Sequence, residues 1–212
     1  MINYLFSSCR SKSLFVVVVC IFFSLLTGCT STPPKQMNNL CEIFREKDDW
    51  YEDAAEARKQ WGGSIGTMMA FMHQESRFQS KARPPRDYLL GFIPWFRPSS
   101  SYGYSQAKDS TWKYYQRSSG EYGADRDDFD DAIYFIGWYN RESVRRCNID
   151  SNDTYHLYLA YHEGHGGFNR RSFKNKTWLK GVAKKVSARA NRYNSQLASC
   201  EESLKKPWWS IF

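Results

Sequence analysis

The chain has 212 residues, 42% of them hydrophobic and 25% charged, so wholesale disorder, collagen-like repeats and low complexity are excluded. Aromatic residues reach 17%, more ring surface than the core of one domain requires, so part of it is expected to line a ligand surface. The net charge of +8 falls to +6 when Arg10 and Lys12 leave with a leader that contains no Asp or Glu, and an anionic polymer or surface is the expected partner: nucleic acid, anionic lipid or acidic cell-wall glycan.

Residues 1–28 read as that leader. Arg10 and Lys12 precede an apolar run from Leu14 to Leu26, too short to span a bilayer as a helix but of the length of a secretory signal. Leu26-Thr27-Gly28-Cys29 resembles a bacterial lipobox, which implies lipidation of Cys29 and anchoring to a membrane through the N-terminal lipid. The alternative is an uncleaved anchor with a chance cysteine. Thr30 rather than Asp follows, and by analogy with lipoprotein sorting the expected location is the outer membrane, facing the periplasm. Residues 29–40, with Pro33-Pro34, read as a tether. The folded domain is then 41–204, and 205–212 is an aromatic tail. Cys41, Cys147 and Cys200 remain in an oxidising compartment. We pair Cys41 with Cys200, near the two ends of the domain, and leave Cys147 free; three unpaired thiols are the alternative.

Along the domain, a helical pattern from Asp48 to Trp61 stops at Gly62-Gly63. Ser64 is placed to cap a second helix in which Ile65, Met68, Met69 and Met72 recur on one face, reaching about Phe78. From Lys81 to Ser101 four prolines interrupt any helix, while Tyr88, Leu89, Phe92, Trp95 and Phe96 are too apolar for a solvated linker. Three helices follow, near 110–118, 127–147 and 153–162, then a longer one over 177–204. With no alternating strand pattern and no repeat, the expected fold is a compact all-α domain carrying one long aromatic, Pro-rich loop.

Glu75 follows Phe71 by one turn and Met68 by two, at the edge of the buried stripe and near the helix C-terminus, with Ser76 close to the centre of that stripe. Burial and the negative end of the helix dipole both disfavour its ionised form, so its pKa is expected to rise toward that of a general acid. A surface glutamate at a helix end is the alternative. Glu75-Ser76, Gly103-Tyr104-Ser105-Gln106 and Ala160-Tyr161-His162 occur in the order of the Glu-Ser, Gly-Leu-Met-Gln and Ala-Tyr-Asn signatures of lytic transglycosylases of the soluble, lysozyme-like type, and the chain resembles that family over about residues 48–200. The resemblance implies a lysozyme-like helical fold and cleavage of peptidoglycan glycan strands between N-acetylmuramic acid and N-acetylglucosamine. It also implies Glu75 as the single acid/base, 1,6-anhydro products and no cofactor. It places Gly103, Gln106 and Tyr161 at the substrate, and Ser76, Ser101, Tyr104 and His162 are set there with them; Tyr193 on the last helix is a further candidate for the cleft, with a core tyrosine the favoured reading. Tyr104-Ser105 replaces Leu-Met, and His162 replaces Asn, which a sugar could still meet through an imidazole.

Other readings stay open at this level. A non-catalytic peptidoglycan-binding lipoprotein would keep the cleft without the chemistry. A hydrolytic muramidase would need a second carboxylate, for which Asp87, Asp109 and Glu163 are the candidates nearby. His162-Glu163-Gly164-His165 spaces its histidines by three, where a metalloprotease helix needs four, so no metal is expected. The basic last helix reads as a solvated face attracted to acidic glycan, with no nucleic-acid partner expected for a secreted lipoprotein. The loop from Lys81 to Ser101 is either a lid that stacks on sugars or cover for a satellite core. The tail either frays or dips into the membrane interface. The biological role and any cell-envelope protein partner are not legible.

Overall fold

The structure, a computed structural model, describes residues 32–86, 88–89, 93–94, 97 and 99–205. Cys29 and the lipobox-like residues before it, Asp87, Phe92, Trp95, Phe96 and the tail beyond Lys205 lie outside the described residues. The described residues form seven helices: α1 (Leu40–Glu46), α2 (Trp50–Trp61), α3 (Ile65–Ser76), α4 (Asp109–Ser119), α5 (Phe129–Cys147), α6 (Thr154–Asn169) and α7 (Thr177–Leu204). It is the all-α domain expected. One antiparallel pair of two-residue strands, β1 (Tyr88–Leu89) and β2 (Ile93–Pro94), matches Tyr88 with Pro94 and Leu89 with Ile93. Two residues are too few to leave an alternating signature in sequence, so the long loop gave no sign of it.

α3 is the axis of the domain. The sequence shows one apolar stripe, but Ile65 to Met72 are all buried, so the helix is enclosed on every side. Gly66 explains how α7 comes so close: a Cβ there would stand 2.3 Å from Asn194 Oδ1 and 2.8 Å from the Ala190 carbonyl oxygen. Ser64 caps α3 as expected, accepting from Thr67 N at 3.1 Å. The other end stops at Ser76, two residues before the expected Phe78, because Arg77 and Phe78 both turn to positive φ. α2 ends where Gly62 adopts φ 79° and packs along α5, with Trp50 stacked on Phe129 at 3.9 Å between ring centroids. α6 lies between α5 and α7, and its axis breaks at Gly164 (φ 72°), just past the expected end at His162; a short helical piece then continues to Asn169.

Two readings at the N-terminal edge change. α1 was not foreseen, since seven residues carry too little periodicity, but Asn39 caps it, accepting from the amides of Cys41 and Glu42. The last part of the expected tether is docked: Pro34 is buried, the Tyr193 hydroxyl donates to the Met37 carbonyl, and Gln196 Nε2 donates to the Asn38 carbonyl at 3.2 Å. Cys41 and Cys200 form the expected disulfide across a Cα–Cα distance of 6.2 Å, joining α1 to the end of α7, and Cys147 is free. Among the described residues no helix is long and apolar enough to cross a membrane.

Candidate active site

A cleft of about 430 Å³ opens where the end of α3, the loop before α4, the middle of α5 and the break in α6 meet. Glu75 lies on its wall, along with Ser101, Gln106, Tyr161 and His162, so five of the residues expected at the substrate are brought together. α3 ends one residue after Glu75, which sets the carboxyl at the edge of the packed helix where it meets the cleft wall.

Glu75 is largely desolvated, and burial pushes its carboxyl up from 4.5 to about 7; a hydrogen bond from the Tyr158 hydroxyl to Oε1, at 2.9 Å, favours the ionised form and opposes that rise without cancelling it. The group is therefore poised to hold or release a proton near neutrality. Phe71, one turn back on α3, meets both Tyr158 and Tyr161 edge-on at 5.2 Å, which fixes the rings around the carboxyl. Tyr161 donates its hydroxyl to the Ser105 carbonyl at 2.7 Å, tying α6 to the loop across the cleft. Tyr158 was not singled out from the sequence. The signal was available, because it stands three residues before Tyr161 and thus on the same helical face.

The Gly103–Gln106 turn is closed by a bridge between Tyr102 and Ala107. Gly103 is required there: its φ is 76°, and a Cβ would lie 1.9 Å from the Arg126 carbonyl oxygen. Gln106, itself at φ 51°, turns its Nε2 back to the carbonyls of Ala82 (2.9 Å) and Gly103 (2.8 Å). Both its N–H groups are thus used within the loop, and Oε1 is what it can offer a sugar hydroxyl. Arg126 braces the same turn from below, donating to the carbonyls of Ser100 and Ala107 and pairing with Asp109 at 2.8 Å.

Three of the expected residues lie elsewhere. Tyr193 is fully buried in α7 and bonds to Met37, which makes it a core tyrosine rather than a cleft residue. Tyr104, 1% exposed, packs edge-on against Trp50 and Phe129, because the residue after Gly103 points to the interior of the turn. Ser76 is buried, and its hydroxyl donates back to the Met72 carbonyl, four residues earlier on α3.

The second carboxylate on the cleft wall is Glu163, whose side chain is 4% exposed. Burial alone would raise its pKa, but hydrogen bonds from Lys176, Ser172 and His162 outweigh that and hold it down at about 2. Oε1 accepts from Lys176 Nζ at 2.8 Å and from His162 Nδ1 at 3.1 Å; Oε2 accepts from Lys176 at 3.0 Å and from the Ser172 hydroxyl. Every acceptor direction is engaged, so Glu163 anchors the cleft wall and is unsuited to activating a water. The same bond places the proton of a neutral His162 on Nδ1 and leaves Nε2 to accept. His162 in turn faces the exposed ring of Trp178 at 5.2 Å, an aromatic neighbour that its position at the start of α7 did not mark in the sequence. His165 turns away from the cleft: its ring stacks on Tyr139 at 4.5 Å and its Nε2 meets the Ser143 hydroxyl at 3.0 Å. Asp109, the other described carboxylate candidate, is the Arg126 partner.

A family model described as the transglycosylase SLT domain matches residues 17–200. No curated protein and no solved structure gives a match.

Proposed function

As the chain belongs to the transglycosylase SLT domain family, and is on that ground a lytic transglycosylase acting on peptidoglycan, we propose that Glu75 is its single acid/base. The observation that carries this reading is the desolvated Glu75 carboxyl at the wall of the cleft, titrating near 7 and held by Tyr158. Protonated Glu75 donates to the glycosidic oxygen between N-acetylmuramic acid and N-acetylglucosamine as an oxocarbenium-like centre develops at C1. The resulting carboxylate then takes the proton of the muramyl C6 hydroxyl, and that oxygen closes on C1 to give a 1,6-anhydro end. The sequence of steps uses one carboxyl twice and no water, which suits a cleft whose other carboxylate is fully engaged by Lys176, Ser172 and His162. Gln106 Oε1, the His162 imidazole and Ser101 are the groups that would meet the sugars. The chemistry needs no cofactor.

The reading extends to location. Lipidation at Cys29 would hold the enzyme on the outer membrane, facing the periplasm, with the glycan strands within reach of a basic surface. The test of the chemistry is Glu75→Gln, which keeps the shape of the side chain and removes its proton: the variant is expected to fold and to release nothing from purified sacculi. Turnover comparable with wild type would take Glu75 out of the mechanism.

A further inference from the structure

Among the described residues three large hydrophobic side chains are left exposed, Tyr114, Tyr122 and Trp178. The Tyr114 ring meets Trp138 and Arg146, neither of which lines the cleft. Trp178 differs: 60% exposed, it meets the ring of His162, a residue of the cleft wall, edge-on at 5.2 Å. A single exposed ring is ordinary on a protein surface, but one held in place at the lip of a ligand cleft is not.

Trp178 is held in place by its neighbours. Lys176, two residues earlier, donates to both oxygens of the buried Glu163 at 2.8 and 3.0 Å, and its carbonyl accepts from Lys180 N at 3.1 Å to open α7. The start of α7 is thereby tied to the α6 residues at the cleft wall, which fixes the indole relative to His162. The contact with His162 leaves most of the indole uncovered. At Gly181, one turn along the same face of α7, a Cβ would find nothing within 4 Å, so the space on that side is open.

We propose that Trp178 is a stacking platform for a saccharide of the glycan strand, continuing the cleft past His162. The apolar C–H face of a pyranose lies on the indole, whose electron-rich face attracts those polarised hydrogens, while the sugar's hydroxyls stay in water or meet the His162 imidazole. Trp178 binds and takes no part in proton transfer, and its role rests on the reading of this cleft as the glycan site.

The experiment has two arms, both on the full chain in detergent. In the first, nitrogen-labelled Glu75→Gln is titrated with the β-1,4-linked tetramer of N-acetylglucosamine. The Trp178 indole resonance, assigned by its loss in Trp178→Ala, is followed beside the Gln106 side-chain amide, and both are expected to shift and to saturate together. A shift of Gln106 alone keeps the cleft as the glycan site and overturns the role of Trp178. Absence of any saturable shift at millimolar tetramer also overturns it, whereas the catalytic reading is judged separately by release from sacculi. In the second arm, Trp178→Ala is expected to need about five- to tenfold more sacculi for half-maximal rate, with kcat and melting temperature near wild type and most of the loss recovered in Trp178→Tyr. An unchanged half-saturating concentration would overturn the proposal. So would a fall in activity that tracks a fall in melting temperature, since the ring would then serve packing alone.

Discussion

Glu75 sits where two requirements conflict, since a carboxyl desolvated enough to act as an acid at neutral pH costs the fold stability whenever it ionises. Unfolded, it releases its proton near 4.5; folded, near 7. Between those values the folded state holds a proton that the unfolded state has lost, so the contribution to stability is present below about 4.5, falls as pH rises, and is gone above about 7. Glu75→Gln is therefore expected to be more stable than wild type at pH 8, by up to about 3 kcal/mol, with the gap closing toward pH 4. Thermal unfolding across that range checks it, and a gap independent of pH would mean that the carboxyl is not desolvated. Tyr158 acts through Glu75, as a positioning residue. Its hydrogen bond favours the carboxylate, so Tyr158→Phe should raise the Glu75 pKa further and move the alkaline limb of the kcat profile to higher pH. An unshifted limb with lower kcat would assign Tyr158 a packing role alone.

At the scale of elements, the helices were legible because their apolar residues repeat over three turns or more, and Ser64 and Gly62 mark the boundaries chemically. α1 and the two-residue strands were not, being shorter than the period that would reveal them. The site was legible in part. Glu75, Gln106, Tyr161 and His162 carry motif identity, whereas Tyr104 and Tyr193 have the right composition but face inward, which is a matter of tertiary packing that spacing does not encode. The partners that set the electrostatics, Tyr158 for Glu75 and Lys176 for Glu163, come from other turns and other helices, so no linear pattern joins them. The turn at Gly103 gives an element-scale prediction. Gly103→Ala forces a Cβ to within 1.9 Å of the Arg126 carbonyl at φ 76°, and is expected to cost about 2 kcal/mol or more and to displace Gln106 from the cleft. A melting temperature and turnover equal to wild type would show that the turn is not needed in this form.

For the whole molecule, the Cys41–Cys200 bridge closes 159 residues of chain and joins α1 to the far end of α7, which also carries the docked segment around Met37. Replacing both cysteines by Ser is expected to lower stability by about 2–4 kcal/mol, read from denaturant unfolding, while leaving turnover per folded molecule unchanged because the bridge lies apart from the cleft. The net charge of +8, and a cleft in which Glu75 is the one carboxyl left available among the described residues, suit an enzyme that works on an acidic polymer. In the proposed mechanism a single carboxyl both gives and takes the proton, so that the sugar's own C6 hydroxyl, and not water, closes on C1. Mass analysis of the fragments released from purified sacculi tests it most directly. Wild type is expected to release 1,6-anhydromuramyl ends and Glu75→Gln no fragments; reducing muramyl ends, one water heavier, would contradict the single-carboxyl mechanism.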